Sequence, residues 1–233
     1  GSMNREEDPL KYINALDAGS LKGKRVGVLR FTLNTNPDLA ARFDAAIKVL
    51  EAQGAELVEI EAFEAASKTV RDSEWIVLTR EFKTLLNEYL ATTSENVPVK
   101  SLSELIAFNE EHAEQELSVF DQSIFVEADK TEGMDDPKYA AAVKDVTETA
   151  GVNGIDAIMK QFEVDMLVSP SGPVAALVDP VKRDVWGSWA GFGYAAAYAG
   201  YPHLSVPMGD ILGVPVGLSF FGTAGADAEV LSY

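Results

Sequence analysis

The sequence predicts an α/β fold, with one sheet fed by strands from both ends of the chain and helices between them. Three observations carry this. Residues 25–61 read as a strand–helix–strand unit. Residues from about 63 to 163 are patterned at helical spacing. Residues 165–221 hold short apolar runs cut by Gly and Pro, the pattern of strands joined by tight turns.

The first strand is Arg25–Phe31 (RVGVLRF), apolar and rich in β-branched residues after Gly23. Asn36-Pro37 then supplies a helix N-cap and first-turn proline. Leu39, Phe43, Ile47 and Leu50 follow at helical spacing, and Gly54 stands where a C′ glycine belongs. Ala55–Glu61 alternates as a second strand. A strand–helix–strand unit of this kind implies two parallel neighbours joined by a right-handed crossover.

In the middle, Ile76, Phe82, Leu86 and Leu90 form an apolar stripe, and Ser101 with Glu104 makes a capping box before Leu105 and Phe108. Asp135-Asp136-Pro137 reads as the opening of a helix toward Phe162, with Gly151 and Gly154 as candidate breaks. Strands return at 165–168, 204–207 and 214–221. The small-residue stretch Ala190–Ala199 between them reads as a short buried helix. Residues 1–20 read as a tag remnant (Gly1-Ser2-Met3) and a polar lead-in, and residues 21–233 as a single α/β domain.

Composition narrows the function. A net charge of −18 argues against binding phosphate backbones or an anionic membrane, which needs clustered Lys and Arg. No cysteine is present, so disulfides, thiolate catalysis and Cys-based zinc sites are excluded. The longest apolar run, around Ala195–Ala199, is far below the ~18–20 residues of a membrane helix. No nucleic acid, membrane or cofactor is therefore expected, and a cytoplasmic location is the default.

Seven blocks carry a resemblance. They are LKGKRVGVLR (21–30), EFKTLLNEYL (81–90), SLSELIAFNEEHAEQE (101–116), FDQSIFVEA (120–128), DMLVSPSGP (165–173), AGYPHLSVPMG (199–209) and GVPVGLSFFG (213–222). In this order they resemble the second half of amidase-signature enzymes, serine hydrolases of carbon–nitrogen bonds. The resemblance implies a large mixed sheet flanked by helices. It also implies amide hydrolysis through a Ser–cis-Ser–Lys triad. The family carries that lysine, both serines and the oxyanion-hole backbone ahead of the matching blocks, so no position of this chain inherits a catalytic role. Where the family often has Thr after the proline of the SP motif, this chain has Ser171.

Each chemical motif has a plainer reading beside it. Ser169-Pro170-Ser171-Gly172-Pro173 leaves the C-terminal end of a strand, where α/β folds place ligands. In the family this loop and the one around Trp186–Trp189 border the substrate cleft. Ser169, Ser171, Ser188 and Trp189 are thus candidate substrate-cleft residues, and an ordinary rigid turn explains the loop equally well. His203 precedes Ser205 by two residues on one strand face, which makes the pair an alternative catalytic couple. Without an orienting carboxylate, a partly buried structural histidine is the plainer reading. His112 and Glu116 have the spacing of a helical metal pair but lack the second histidine of H-E-x-x-H, so a solvated acidic face is favoured and no metal is assigned. Gly191–Ala196 spells G-x-G-x-x-A, but no good strand precedes it; small residues for close helix–sheet packing account for it. Acidic pairs such as Glu6-Glu7 are expected among 37 acidic residues and signal no site.

These readings lead to one expectation and one alternative. The first is the C-terminal portion of an amidase, inactive alone, whose intact form acts on a small-molecule amide. The alternative is a non-catalytic scaffold or partner subunit with the same fold. Unpaired sheet edges would favour a homodimer.

Overall fold

The computed structural model describes residues 9–64, 69–179, 181 and 188–233. Its centre is a five-stranded mixed sheet of β1 (Arg25–Leu29), β2 (Glu56–Ile60), β3 (Met166–Pro170), β4 (His203–Ile211) and β5 (Val214–Phe221), in the spatial order β2-β1-β3-β5-β4. β1 runs parallel to both β2 and β3, while β5 is antiparallel to β3 and β4 to β5. Strands from both ends of the chain meet at the β1–β3 pair, as the pattern predicts.

The crossover helix α2 (Pro37–Ala52) explains the first parallel pair. Asn36 caps it by accepting from Asp38 N at 3.0 Å and Leu39 N at 3.2 Å. Its buried stripe is Leu39, Phe43, Ile47 and Leu50. Phe43, Ile47 and Leu50 pack with Val26, Val28, Met166, Val168, Leu218 and Phe220 on one sheet face, while Leu39 packs with Ala190, Ile211 and Val216. On the opposite face Leu29, Ile60, Leu167 and Phe221 pack under α8 (Asp156–Phe162) and α9 (Gly193–Ala199). Alternation along each strand assigns the two faces. β1 continues into a 3-10 turn, Arg30–Thr32, rather than extending to Phe31. The lead-in contains a short helix, α1 (Pro9–Ala15), and the described chain closes with α10 (Asp227–Ser232).

The chain falls into two compact units. The first holds the sheet, from residues 1–66, 147–177 and 186–233; the second comprises 67–146 and 178–185. The second unit contains α3 (Val70–Ala91), α4 (Leu102–Glu111), α5 (Ala113–Glu116), α6 (Ser123–Asp129) and most of α7 (Tyr139–Ala150). Leu90, Leu102, Ala128 and Ala142 are buried there, and Phe82 lies against Phe125 at 5.1 Å.

Three local details differ from the sequence expectation. Ser101 Oγ accepts from Glu104 N at 3.2 Å, but Glu104 reaches back to Lys100 N rather than Ser101 N, at 2.6 Å, so the capping box is half made. Asp136 does not open α7. Its Oδ1 accepts from Lys138 N, and its Oδ2 takes both Arg80 Nε at 2.9 Å and Nη2 at 2.8 Å. These bonds hold its carboxyl below the usual range. Gly151 and Gly154 do not end the helix but lie in a π-helical turn, Gly151–Ile155, that links α7 to α8.

Candidate functional site

The site is built where β1 and β3 end. The chain leaves β1 toward β2 on one side and leaves β3 toward β5 and β4 on the other. Loops that diverge from adjacent parallel strands open a crevice at their C-terminal ends, and α/β sheets place ligands there. A cavity of about 610 Å³ lies in this crevice, lined by Asn34, Pro37, Pro173, Ala175, Ser188 and Trp189 among others. That size falls within the range of about 300–1,000 Å³ that holds small ligands. Asn34 Nδ2 donates to Ser188 O at 2.9 Å, across 154 residues of chain, and ties the two walls together. Trp189 is 56% exposed, which leaves its indole available to a ligand. Trp186 and Gly187, beside it in the sequence, and the Glu6-Glu7 pair lie outside the described residues.

Ser169 has a structural task. It is fully buried, its Oγ donates to Pro170 O at 2.9 Å, and it accepts from Phe192 N at 3.1 Å. It therefore fastens the start of α9 to β3 and does not face the cavity. The turn after β3 is fixed by Ser171 N donating to Gly217 O at 2.7 Å. Gly191 has φ +93° and its N–H donates to Thr32 O at 2.9 Å; a Cβ there would overlap Pro170 O. Only glycine lets this strand of chain pass so close to the loop.

Across β5, β4 and the turn after β3, four side chains gather, two more than the His203–Ser205 pair of the sequence. His203 Nε2 lies 2.7 Å from Ser219 Oγ. Ser219 Oγ lies 2.8 Å from Ser171 Oγ and 3.2 Å from Ser205 Oγ, and Ser171 Oγ lies 3.0 Å from Ser205 Oγ. Registry makes the cluster: Ser205 pairs with Ser219, and His203 with Phe221, so all these side chains share one face. The partner of His203 is thus Ser219, not Ser205. Ser219 is fully buried and Ser205 is exposed; His203 has an exposed outer part, while its Nε2 is part-buried against Ser219. The imidazole is positioned by Gly193, where a Cβ would come within 2.8 Å of its Cε1, and by an edge contact to Phe221 at 6.1 Å. Burial lowers the His203 pKa from its usual 6.5, so the ring is neutral at pH 7.

The other motifs resolve as structure. α4 ends at Glu111, so His112 and Glu116 do not share a continuous helix; His112 Nδ1 lies 2.8 Å from Phe108 O and its ring stacks on Phe108. In the glycine motif, Ala195 and Ala196 are buried against the sheet side of α9, as close packing requires.

A family model for amidases matches residues 2–231. The chain belongs to the amidase family. It is 30% identical to a probable amidase of Arabidopsis thaliana over 94% of its own length and 38% of that protein's. Among solved structures, it is similar to the peptide amidase PAM in complex with the competitive inhibitor chymostatin, at 36% identity and a TM-score of 0.85, covering all of this chain and 48% of that one. The native peptide amidase of Stenotrophomonas maltophilia gives 35% identity and a TM-score of 0.80, covering 100% of this chain and 47% of that one. The chain spans less than half the length of these relatives. The mixed sheet with flanking helices is the amidase-signature architecture in this portion.

Proposed function

We propose that this chain is the C-terminal portion of an amidase that hydrolyses the carbon–nitrogen bond of peptide-type amides. Its part is to supply one wall of the substrate cleft: the Ser171–Ala176 loop, the Asn34–Pro37 loop, Ser188 and Trp189. The observation that carries this is the 36% identity to a peptide amidase over the whole chain at a TM-score of 0.85. The crevice at the ends of β1 and β3 supports it.

In this reading the attacking serine, its bridging serine and the lysine come from the family's preceding segment, and the chain alone does not turn over amides. The amide carbonyl would sit against the wall described here while that segment presents nucleophile and oxyanion donors. The test is ammonia release from a set of peptide C-terminal amides, with this chain alone and with a polypeptide bearing the family's Gly/Ser-rich segment added. Release only in the mixture is expected. Release by the chain alone would overturn the division of labour. No release from the mixture, despite a stable complex, would overturn the substrate class.

A further inference from the structure

Beyond the amidase reading, and independent of it, the Ser/His cluster has a chemistry of its own. Its members span three adjacent strand positions: Ser171 just after β3, Ser219 on β5 and Ser205 on β4. Hydroxyl protons rotate to suit their partners. Ser219 can therefore point its proton at Ser171 or at His203 Nε2, both within 2.8 Å. When it points at Nε2, its own oxygen is free to receive a proton from Ser205 at 3.2 Å. A nucleophile, a bridge and a base then stand in line, with the nucleophile at the surface and the bridge out of water's reach.

We propose that Ser205 is a nucleophile toward activated acyl and phosphonyl electrophiles, with Ser219 as proton bridge and His203 as base. With a fluorophosphonate, Ser205 Oγ attacks phosphorus, the O–P bond forms, and the P–F bond breaks to release fluoride. The Ser205 proton passes to Ser219 Oγ as the Ser219 proton passes to His203 Nε2; the imidazolium then returns its proton to water. With an aryl ester, the new bond is Ser205 Oγ–C and the phenolate leaves with the shared electron pair. Ser171 Oγ–H, 3.0 Å from Ser205 Oγ, steadies the charge that develops on the attacking oxygen. Fluoride and phenolate depart without a proton from the protein, so the step asks only for a base. An amide nitrogen must be protonated to leave, a second task that these electrophiles do not ask of the cluster.

The experiment is intact mass after incubation with an alkyl fluorophosphonate, followed by peptide mapping. One adduct per chain on the peptide bearing Ser205 is expected. Ser205→Ala should abolish it. His203→Gln, which keeps a hydrogen-bonding side chain but cannot take up a proton, should slow labelling by about 100-fold or more, in the range of general-base effects, with an unchanged circular dichroism spectrum. No adduct, an adduct on another residue, or equal labelling rates in a folded His203→Gln would each overturn the proposal. Ammonia release from peptide amides is read separately, so failure of the amidase reading leaves this result standing and the reverse holds too.

Discussion

Gly191→Ala tests how the cleft wall is held. Gly191 has φ +93°, and an alanine there would place its Cβ on Pro170 O and within 3.2 Å of Ser171 C and O. All three are backbone atoms, so no side-chain rotation relieves the overlap. A left-handed backbone costs a non-glycine residue about 1–2 kcal/mol. Shifting the segment also stretches the Gly191 N–Thr32 O bond of 2.9 Å, which contributes about 0.5–1.5 kcal/mol. Together these give about 1.5–3.5 kcal/mol. With a urea slope of about 3 kcal/mol/M for a chain of this size, the unfolding midpoint falls by about 1 M. Gly172→Ala is the control in the same loop, because nothing lies within 4 Å of its Cβ position and its φ is ordinary; it should be neutral or stabilise by about 0.4–1 kcal/mol. Urea titration followed by circular dichroism reads both. A Gly191→Ala midpoint within about 0.2 M of the parent would refute the close approach of residue 191 to the loop.

Four further outcomes are expected. Phe221→Ala, at a fully buried position under α9, should cost about 3–5 kcal/mol by urea unfolding. Asn36→Ala removes the cap of α2 and should cost about 1 kcal/mol in the same assay. His203 is held neutral by burial, its folded pKa below 6.5, so the unfolded chain binds the proton more readily. Stability should therefore rise with pH through the window below 6.5 and level off above it, and His203→Gln should flatten that slope in urea midpoints taken at several pH values. Association through a sheet edge should be weak and concentration-dependent by sedimentation. Ser171 N bonding to Gly217 O turns the backbones of Leu218 and Phe220 toward β4, so His203, Ser205 and Pro207 face outward from that edge. Pro207 has no N–H, and the register shifts between Pro207 and Gly209, which limits pairing to the first half of β4.

Elements set by local chemistry were legible. Asn36-Pro37 starts α2, and its stripe of Leu39, Phe43, Ile47 and Leu50 is the buried face. β5 matches its apolar run at Val214–Phe221, and the Gly/Pro punctuation located the turns. What depended on pairing between distant segments was not legible. Ser219 lies inside an apolar run and meets His203 only through the β4–β5 register, so its role is not local to the sequence around it. The signal was present, since a serine alternating with Phe221 and Gly217 is a polar group on a buried strand face, and such a group must have a partner. The same holds for Asn34, whose partner, Ser188, is 154 residues away. Ser169 adjoins the cleft loop in sequence, but its hydroxyl donates to Pro170 O and accepts from Phe192 N, which turns it away from the cavity.

The two faces of the sheet explain why the chemistry gathers where it does. On the α2 face, buried apolar residues run across β1, β3 and β5, from Val26 and Val28 through Met166 and Val168 to Leu218 and Phe220, and the charged Glu59, which pairs with Val28, is taken up by Arg30. On the other face the apolar cover of α8 and α9 reaches Leu167 and Phe221, and one strand step further the inward positions become Ser169, Ser219 and Ser205. A serine row across three strands is a poor core, because each hydroxyl must find a partner or lose about 1–3 kcal/mol. Ser169 finds Phe192 N and Pro170 O; Ser219 finds His203 and Ser171; Ser205 finds Ser171 and Ser219. The row's partners include Ser171 on the loop after β3 and Phe192 N at the start of α9, so satisfying the row also helps to fix the cleft loop. If that coupling is real, Ser219→Ala should loosen the Ser171–Ala176 loop while leaving the α2 face intact. Hydrogen exchange would show this as faster exchange at Ser171 N with protection along β1 and β2 unchanged. Equal exchange at Ser171 N in parent and variant would mean that the Gly217 carbonyl alone holds the loop.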